Sequence, residues 1–149
     1  MIDYLKMAEQ RGKEDALDLR ARAKDMDGTA IIAEEEKAPV FEPKKDYSEW
    51  PVSAPVADEA QVWTLIQPHN AADYEGRPST LRALWGLCHT KDPAKAKPWV
   101  NPEGTSGMYM KDECYLDTDG TVYRLSLIHI LFLRHQFHQH KVLIRYRHK

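Results

Sequence analysis

Residues 61–87 read QVWTLIQPHNAADYEGRPSTLRALWGL, and the way this stretch alternates and then breaks decides the architecture of the chain. QVWTLI alternates in polarity and is rich in residues that fit a pleated surface, which predicts a short strand. The run AADYEGRPST that follows is a loop by its Gly, Pro, Asp and Ser content. Trp63 and Trp85 lie in apolar, strand-like runs and are expected in the core, because a small sheet needs large side chains to bury enough area. The same pattern recurs downstream. CYLDTDGTVYRL, residues 114–125, is two short runs joined through Asp119-Gly120, the strongest hairpin signal in the chain. Between the two strand regions, TKDPAKAKPWVNPEGTSG reads as loop. A pair of very small sheets is therefore expected.

Upstream of residue 61 the pattern changes. IDYLKMAEQRG places Ile2, Leu5 and Ala8 at helical spacing and predicts a helix closing at Gly12. KEDALDLRARAKDMDG predicts a second helix, with Ala16, Leu19, Ala23 and Met26 along one stripe and Gly28 as its stop. Thr29 is placed to cap a third, through Ile31 and Ile32, which must end before Pro39 because the residue preceding proline avoids the helical region. These stripes are narrow and rich in Ala, so the helices are expected to pack on each other and on a partner, including the same segment of a second copy. Pro39, Pro43, Pro51 and Pro55 then break regular structure repeatedly. The expected organisation is a helical lead (1–38), a Pro-rich linker and irregular first strand (39–60), the main β module (61–90), a second incomplete module (91–125) and an atypical tail (126–149). The expected fold class is α+β: a short N-terminal helical segment followed by one complete and one truncated small antiparallel β module.

Composition bounds the function. The chain has 149 residues, 42% hydrophobic and 30% charged, a globular composition rather than that of a disordered chain. No segment approaches the roughly 20 apolar residues of a membrane helix, and the acids in MIDYLKMAEQRGKED do not match a secretory leader. Production in the cytoplasm is expected, with no membrane partner. Cys88 and Cys114 form no CxxC pair or Cys/His metal spacing and are expected to be free thiols. The formal net charge of -2 hides an asymmetry: residues 126–149 hold five Lys or Arg and no acid, leaving 16 basic against 23 acidic residues before them.

The run TLIQPHNAADYEGRPSTLRALWGL resembles the C-terminal half of the small chitin-binding modules attached to bacterial chitinases, carbohydrate-binding families five and twelve. Those modules run strand, QPH, a polar loop with an exposed aromatic, a proline, and ALW. The matching positions are Gln67, Pro68 and His69, then Tyr74 where the aromatic is usually Trp, then Pro78, then Ala83, Leu84 and Trp85. YSEWPVSAPV is similar to the family's opening, with Val56 in the Val place, whereas Ser53 and Ala54 stand where a glycine is expected and ADEAQ replaces a clean hairpin turn. GTSGMYMKDECYLDTDGTVYRL resembles the front half of a second copy, with Tyr109, Gly120 and Tyr123 in its pattern, but no Trp or Pro follows Leu125 to close it. A helical lead, a Pro-rich linker and such modules together look like an accessory protein of a tailed bacteriophage. The resemblance implies polysaccharide (a chitin-like or cell-wall glycan) and other virion proteins as partners, no cofactor, and a virion-associated protein made in the host cytoplasm. It also implies that the tail, which begins where the second module should continue, is out of frame with the natural protein; a genuine basic arm or apolar strand is the alternative.

Sugar rings present flat, weakly polar C–H faces, so a glycan site needs an exposed aromatic plane with hydrogen-bonding groups at its edge. Tyr74, in a polar loop, is the expected platform. His69 and Asn70 are candidate edge groups, although a His here also serves to fix the loop, and Pro78 completes the candidate set. Trp50 and Trp99, each beside a proline, fit either core or surface. An enzyme is not expected: Asp73, Glu75, Glu103, Asp112 and Glu113 stand in hydrophilic company, and there is no GxSxG, HExxH or Gly-rich phosphate loop. Cys88 and His89, as neighbours in sequence, do not make a nucleophile and base, a pairing formed in space. His135, His138 and His140 offer only an adventitious metal site, with no acid or Cys to complete it. Nucleic-acid binding would draw on the tail alone and is not expected.

Overall fold

The computed structural model describes residues 3–125 and 143–146. Helix α1 spans Tyr4–Arg22, capped by Asp3, whose side chain accepts a hydrogen bond from the Lys6 backbone N–H. A 3₁₀ turn at Ala23–Asp25 leads to the short helix α2, Gly28–Ala33. Strands β1 (Pro55–Asp58), β2 (Gln61–Leu65) and β3 (Trp85–Leu87) form an antiparallel sheet in the order β1-β2-β3. Strands β4 (Lys97–Pro98), β5 (Cys114–Leu116), β6 (Val122–Leu125) and β7 (Leu143–Tyr146) form the second, in the order β4-β5-β6-β7. The fold is α+β. In the second sheet β4 joins β5 in parallel, and the remaining pairs are antiparallel.

Alternation along β2 builds two cores from one strand. Trp63 and Leu65 point to one face, where they meet Phe41, Tyr47, Ala54, Val56 and Trp85. Val62 points to the other, against Ala23, Ile31, Ile32 and Cys88. The helical lead is thus one wall of the first module. A third cluster, Tyr109, Tyr115 and Leu125, fills the second module. Each buried large side chain of this kind contributes roughly 1.5–3 kcal/mol.

The helices differ from the sequence reading at two glycines. Helix α1 runs straight through Gly12, which is exposed with open space around it. A mid-helix Gly costs only about 1 kcal/mol against Ala, and the strong helix formers on either side carry the helix through. Gly28 opens α2 rather than ending α1: Asp27 is the cap, accepting from the Ala30 N–H at 2.8 Å. A side chain at Gly28 would collide with the His89 backbone, so its role is close packing. Thr29, expected as the cap, instead accepts from the Lys91 N–H at 3.0 Å and ties the lead to the second module.

Residues 39–60 are not a linker. Phe41, Tyr47, Ala54 and Val56 are buried, and Val40 makes a parallel bridge to Ala57 along β1. The prolines interrupt hydrogen-bond ladders, but the aromatics between them supply the burial that holds the segment down. The turn at ADEAQ is a tight two-residue hairpin, with Asp58 paired to Gln61 and both Glu59 (φ 51°) and Ala60 (φ 61°) in the left-handed region. The hairpin at Asp119-Gly120 is as expected, Gly120 taking φ 81°.

One part of α1 is bare. Every residue from 4 to 14 is exposed, with Tyr4 at 75% and Leu5 at 80%, and the helix is tethered only from its C-terminal half, where Leu19 is buried. Among the described residues no helix is long and apolar enough to cross a membrane. The frame reading of the tail and the reading of His135, His138 and His140 lie outside the described residues for 126–142, while Leu143–Tyr146 pairs antiparallel with β6.

Candidate functional site

The loop between β2 and β3 is built from its ends inward. Its first part is stitched to the segment around Tyr47: the Tyr47 N–H donates to the His69 carbonyl at 2.8 Å, and the Ala71 N–H donates to the Lys45 carbonyl at 2.9 Å. The Asn70 side chain accepts from the Ala72 N–H at 3.1 Å and so opens a 3₁₀ turn at Ala71–Asp73. Tyr74 follows at once, extended, with its N–H on the Ala71 carbonyl. The far part is pinned by Arg77, whose guanidinium forks onto Asp58, with Nε to Oδ2 at 3.0 Å. The Asp58 side chain is 2% exposed, so this is a charge-assisted pair with one partner desolvated. Ser79 adds a hydrogen bond to Glu59.

Tyr74 is the outermost ring of an aromatic stack. It meets His69 edge-on at 5.4 Å, His69 meets Trp85 edge-on at 5.4 Å, and Tyr47 meets Trp85 edge-on at 5.2 Å. Such contacts suit the ring quadrupoles and bring rigidity. Tyr74 is 44% exposed, while His69 is buried and Trp85 fully so. His69 Nδ1–H donates to the Gln67 carbonyl at 2.8 Å, and its Nε2, like Trp85 Nε1, is buried with no partner among the described residues.

The four candidate residues therefore separate. Tyr74 lies at the surface on a fixed base. Asn70 is half-buried and spends its carbonyl on the turn. His69 fixes the loop from beneath Tyr74 instead of offering an edge to solvent, because the strand-side rings need covering. Pro78 is fully buried and backs the loop from within, out of reach of a ligand. Trp63 and Trp85 are core, as expected. Trp50 has the Arg20 guanidinium over its ring at 3.4 Å, and Trp99 stacks on Tyr109 at 4.4 Å, so both rings have a face already covered. Arg77 and Asp58, which anchor the loop, escaped sequence reasoning because nothing in either residue's neighbourhood points to a partner so far along the chain.

Cys88 and His89 are held in inert forms. Burial pushes the Cys88 thiol up to about 12. Burial also pulls His89 down to about 4; its ring lies 3.7 Å from that of Tyr109 and its Nε2 is 2.9 Å from the Gly107 carbonyl. Both cysteines are free and buried. Among the described residues no three His, Cys, Asp or Glu side chains gather to hold a metal ion. No family model matches this chain, and no curated protein matches it at significance. The likeness to chitin-binding modules rests on the motifs quoted above.

Proposed function

We propose that this is a non-catalytic polysaccharide-binding accessory protein, of the kind carried by a bacteriophage virion, which engages a chitin-like or cell-wall glycan through Tyr74. The observation that carries this reading is the exposed Tyr74 ring on an otherwise buried aromatic stack, with the start of its loop hydrogen-bonded to residues 45–47 and its far part to Asp58 of β1. A rigid ring loses little entropy on binding, and stacking on such a platform contributes about 1–3 kcal/mol. The inert states of Cys88 and His89 support the non-catalytic part. The partners are glycan and other virion proteins, with neither nucleic acid nor membrane and no cofactor. The site of synthesis is the host cytoplasm.

A weak single site gains from repetition, whether through copies on a virion or through self-association by α1. The test is a pull-down of the full chain on insoluble chitin, cellulose and bacterial sacculi. Tyr74→Ala should lose at least about tenfold in affinity, a loss of roughly 1.4 kcal/mol, and Tyr74→Trp should keep it. Failure of the folded wild-type chain to bind any polymer would refute the reading. A second reading, a virion component whose module mediates protein contacts, is favoured by one observation, the exposed Tyr4, Leu5 and Met7 on the bare half of α1. Removing residues 1–14 separates the two: it should abolish virion incorporation under the second reading and leave glycan binding intact under the first.

A further inference from the structure

A separate cleft of about 310 Å³ opens where α2, the first sheet and the second module meet. Its wall exposes polar as well as apolar surface and includes three of the five methionines, Met26, Met108 and Met110, with Ile31 and Leu87. Among the lining residues the only charged side chain is Glu113, since His89 stands neutral and no Lys or Arg reaches the wall. Lys91 acts on Glu113 electrostatically from outside the lining. The Glu113 carboxylate takes one hydrogen bond, from the Met110 backbone N–H to Oε1, and Oε2 has no hydrogen-bond partner among the described residues. Methionine walls adapt to irregular apolar shapes, and a volume of this order is at the small end of ligand sites. A lone carboxylate among thioethers is unfavourable for an anion and poorly matched to a neutral apolar guest. It is complementary to a cation with an apolar body.

We propose that this cleft binds a small primary ammonium compound with an apolar body, of the size of benzylamine, its charged end on Glu113 and its body among Met26, Met108 and Met110. Desolvation raises the Glu113 carboxyl above its ordinary range in the free protein, so an arriving cation has an incompletely satisfied acid to meet. The site is independent of Tyr74, and neither proposal depends on the other.

The probe is benzylammonium, titrated into the full chain labelled at its methionine methyl groups and followed by NMR. Met7, outside the cleft, serves as an internal reference. The expected result is saturable shifts of the Met26, Met108 and Met110 methyls, with Met7 unmoved. Benzyl alcohol and benzoate, which match the body but not the charge, should bind at least tenfold more weakly. Glu113→Gln keeps an oxygen for the Met110 N–H and should weaken the amine tenfold or more without altering the free spectrum elsewhere. No saturation by roughly 10 mM, or equal binding of amine and alcohol, would overturn the proposal. The alcohol comparison needs no variant and holds even if Glu113→Gln is poorly folded.

Discussion

Gly28→Ala asks whether the helical lead is seated on the β module or merely attached to it. A methyl group there would lie 2.4 Å from the His89 carbonyl oxygen and 3.1 Å from its nitrogen, and both atoms are backbone, so neither can swing aside. Overpacking of this kind costs about 1–3 kcal/mol, and the case is at the upper end because α2 and residue 89 must separate. The helical preference of Ala over Gly returns at most about 1 kcal/mol. A net loss of about 2 kcal/mol follows, or a fall in Tm of roughly 4–8 °C for a chain of this size. Gly12→Ala is the matched control: the same substitution in the same lead, with nothing within 4 Å, should stabilise by about 0.5–1 kcal/mol. Urea unfolding followed by tryptophan fluorescence and by circular dichroism reads both variants, with coincident transitions expected. A neutral or stabilising Gly28→Ala would refute the docking of α2 against His89 and return the lead to a spacer.

His89 stays neutral in the fold down to about pH 4, whereas in the unfolded chain it takes a proton near pH 6.5. The unfolded state therefore binds more protons between those values, and stability is present above pH 6.5 and lost as pH falls to about 4. Stability measured at several pH values should show this slope, on the order of 3 kcal/mol in all, and His89→Asn should flatten it. Both thiols are buried with their ionisation suppressed by desolvation, so a thiol reagent at pH 8 should label neither Cys88 nor Cys114 until urea unfolds the chain. Rapid labelling of either in native buffer would contradict their placement. Ala60→Gly relieves a left-handed backbone at φ 61° and should raise stability by about 1 kcal/mol in the same urea assay; an unchanged midpoint would count against the tight turn.

The β2 strand was legible because its alternation and its two-sided burial leave the same trace, aromatic and β-branched residues in a short run. The Asp119-Gly120 turn was legible because the backbone there demands glycine. The linker reading failed on a general point: prolines report the loss of regular hydrogen bonding, not the loss of burial, and Phe41 and Tyr47 supply the latter. Gly28 was misplaced because a glycine that ends one helix and a glycine that lets the next approach a neighbour look alike until the neighbour, His89, is known. At the candidate site, the exposure of Tyr74 was legible from its polar surroundings, whereas the inward orientation of His69 depends on Tyr47 and Trp85, rings distant in the chain, and the burial of Pro78 left no local trace. Glu113 looked solvated for the same reason, its neighbours in sequence being polar while in space it lines a cleft with Met26, Met108 and Met110.

Because β2 sends alternate side chains into two different cores, there is no plane along which the first module can be cut free. A portable unit for grafting onto another protein would have to begin near residue 15 and carry the whole stretch to Leu125, and a graft begun at Pro39 would strip Ala23, Ile31 and Ile32 from Val62 and Cys88. The bare first turns of α1 could be exchanged freely, so the natural joint for fusion lies within a helix rather than at the prolines.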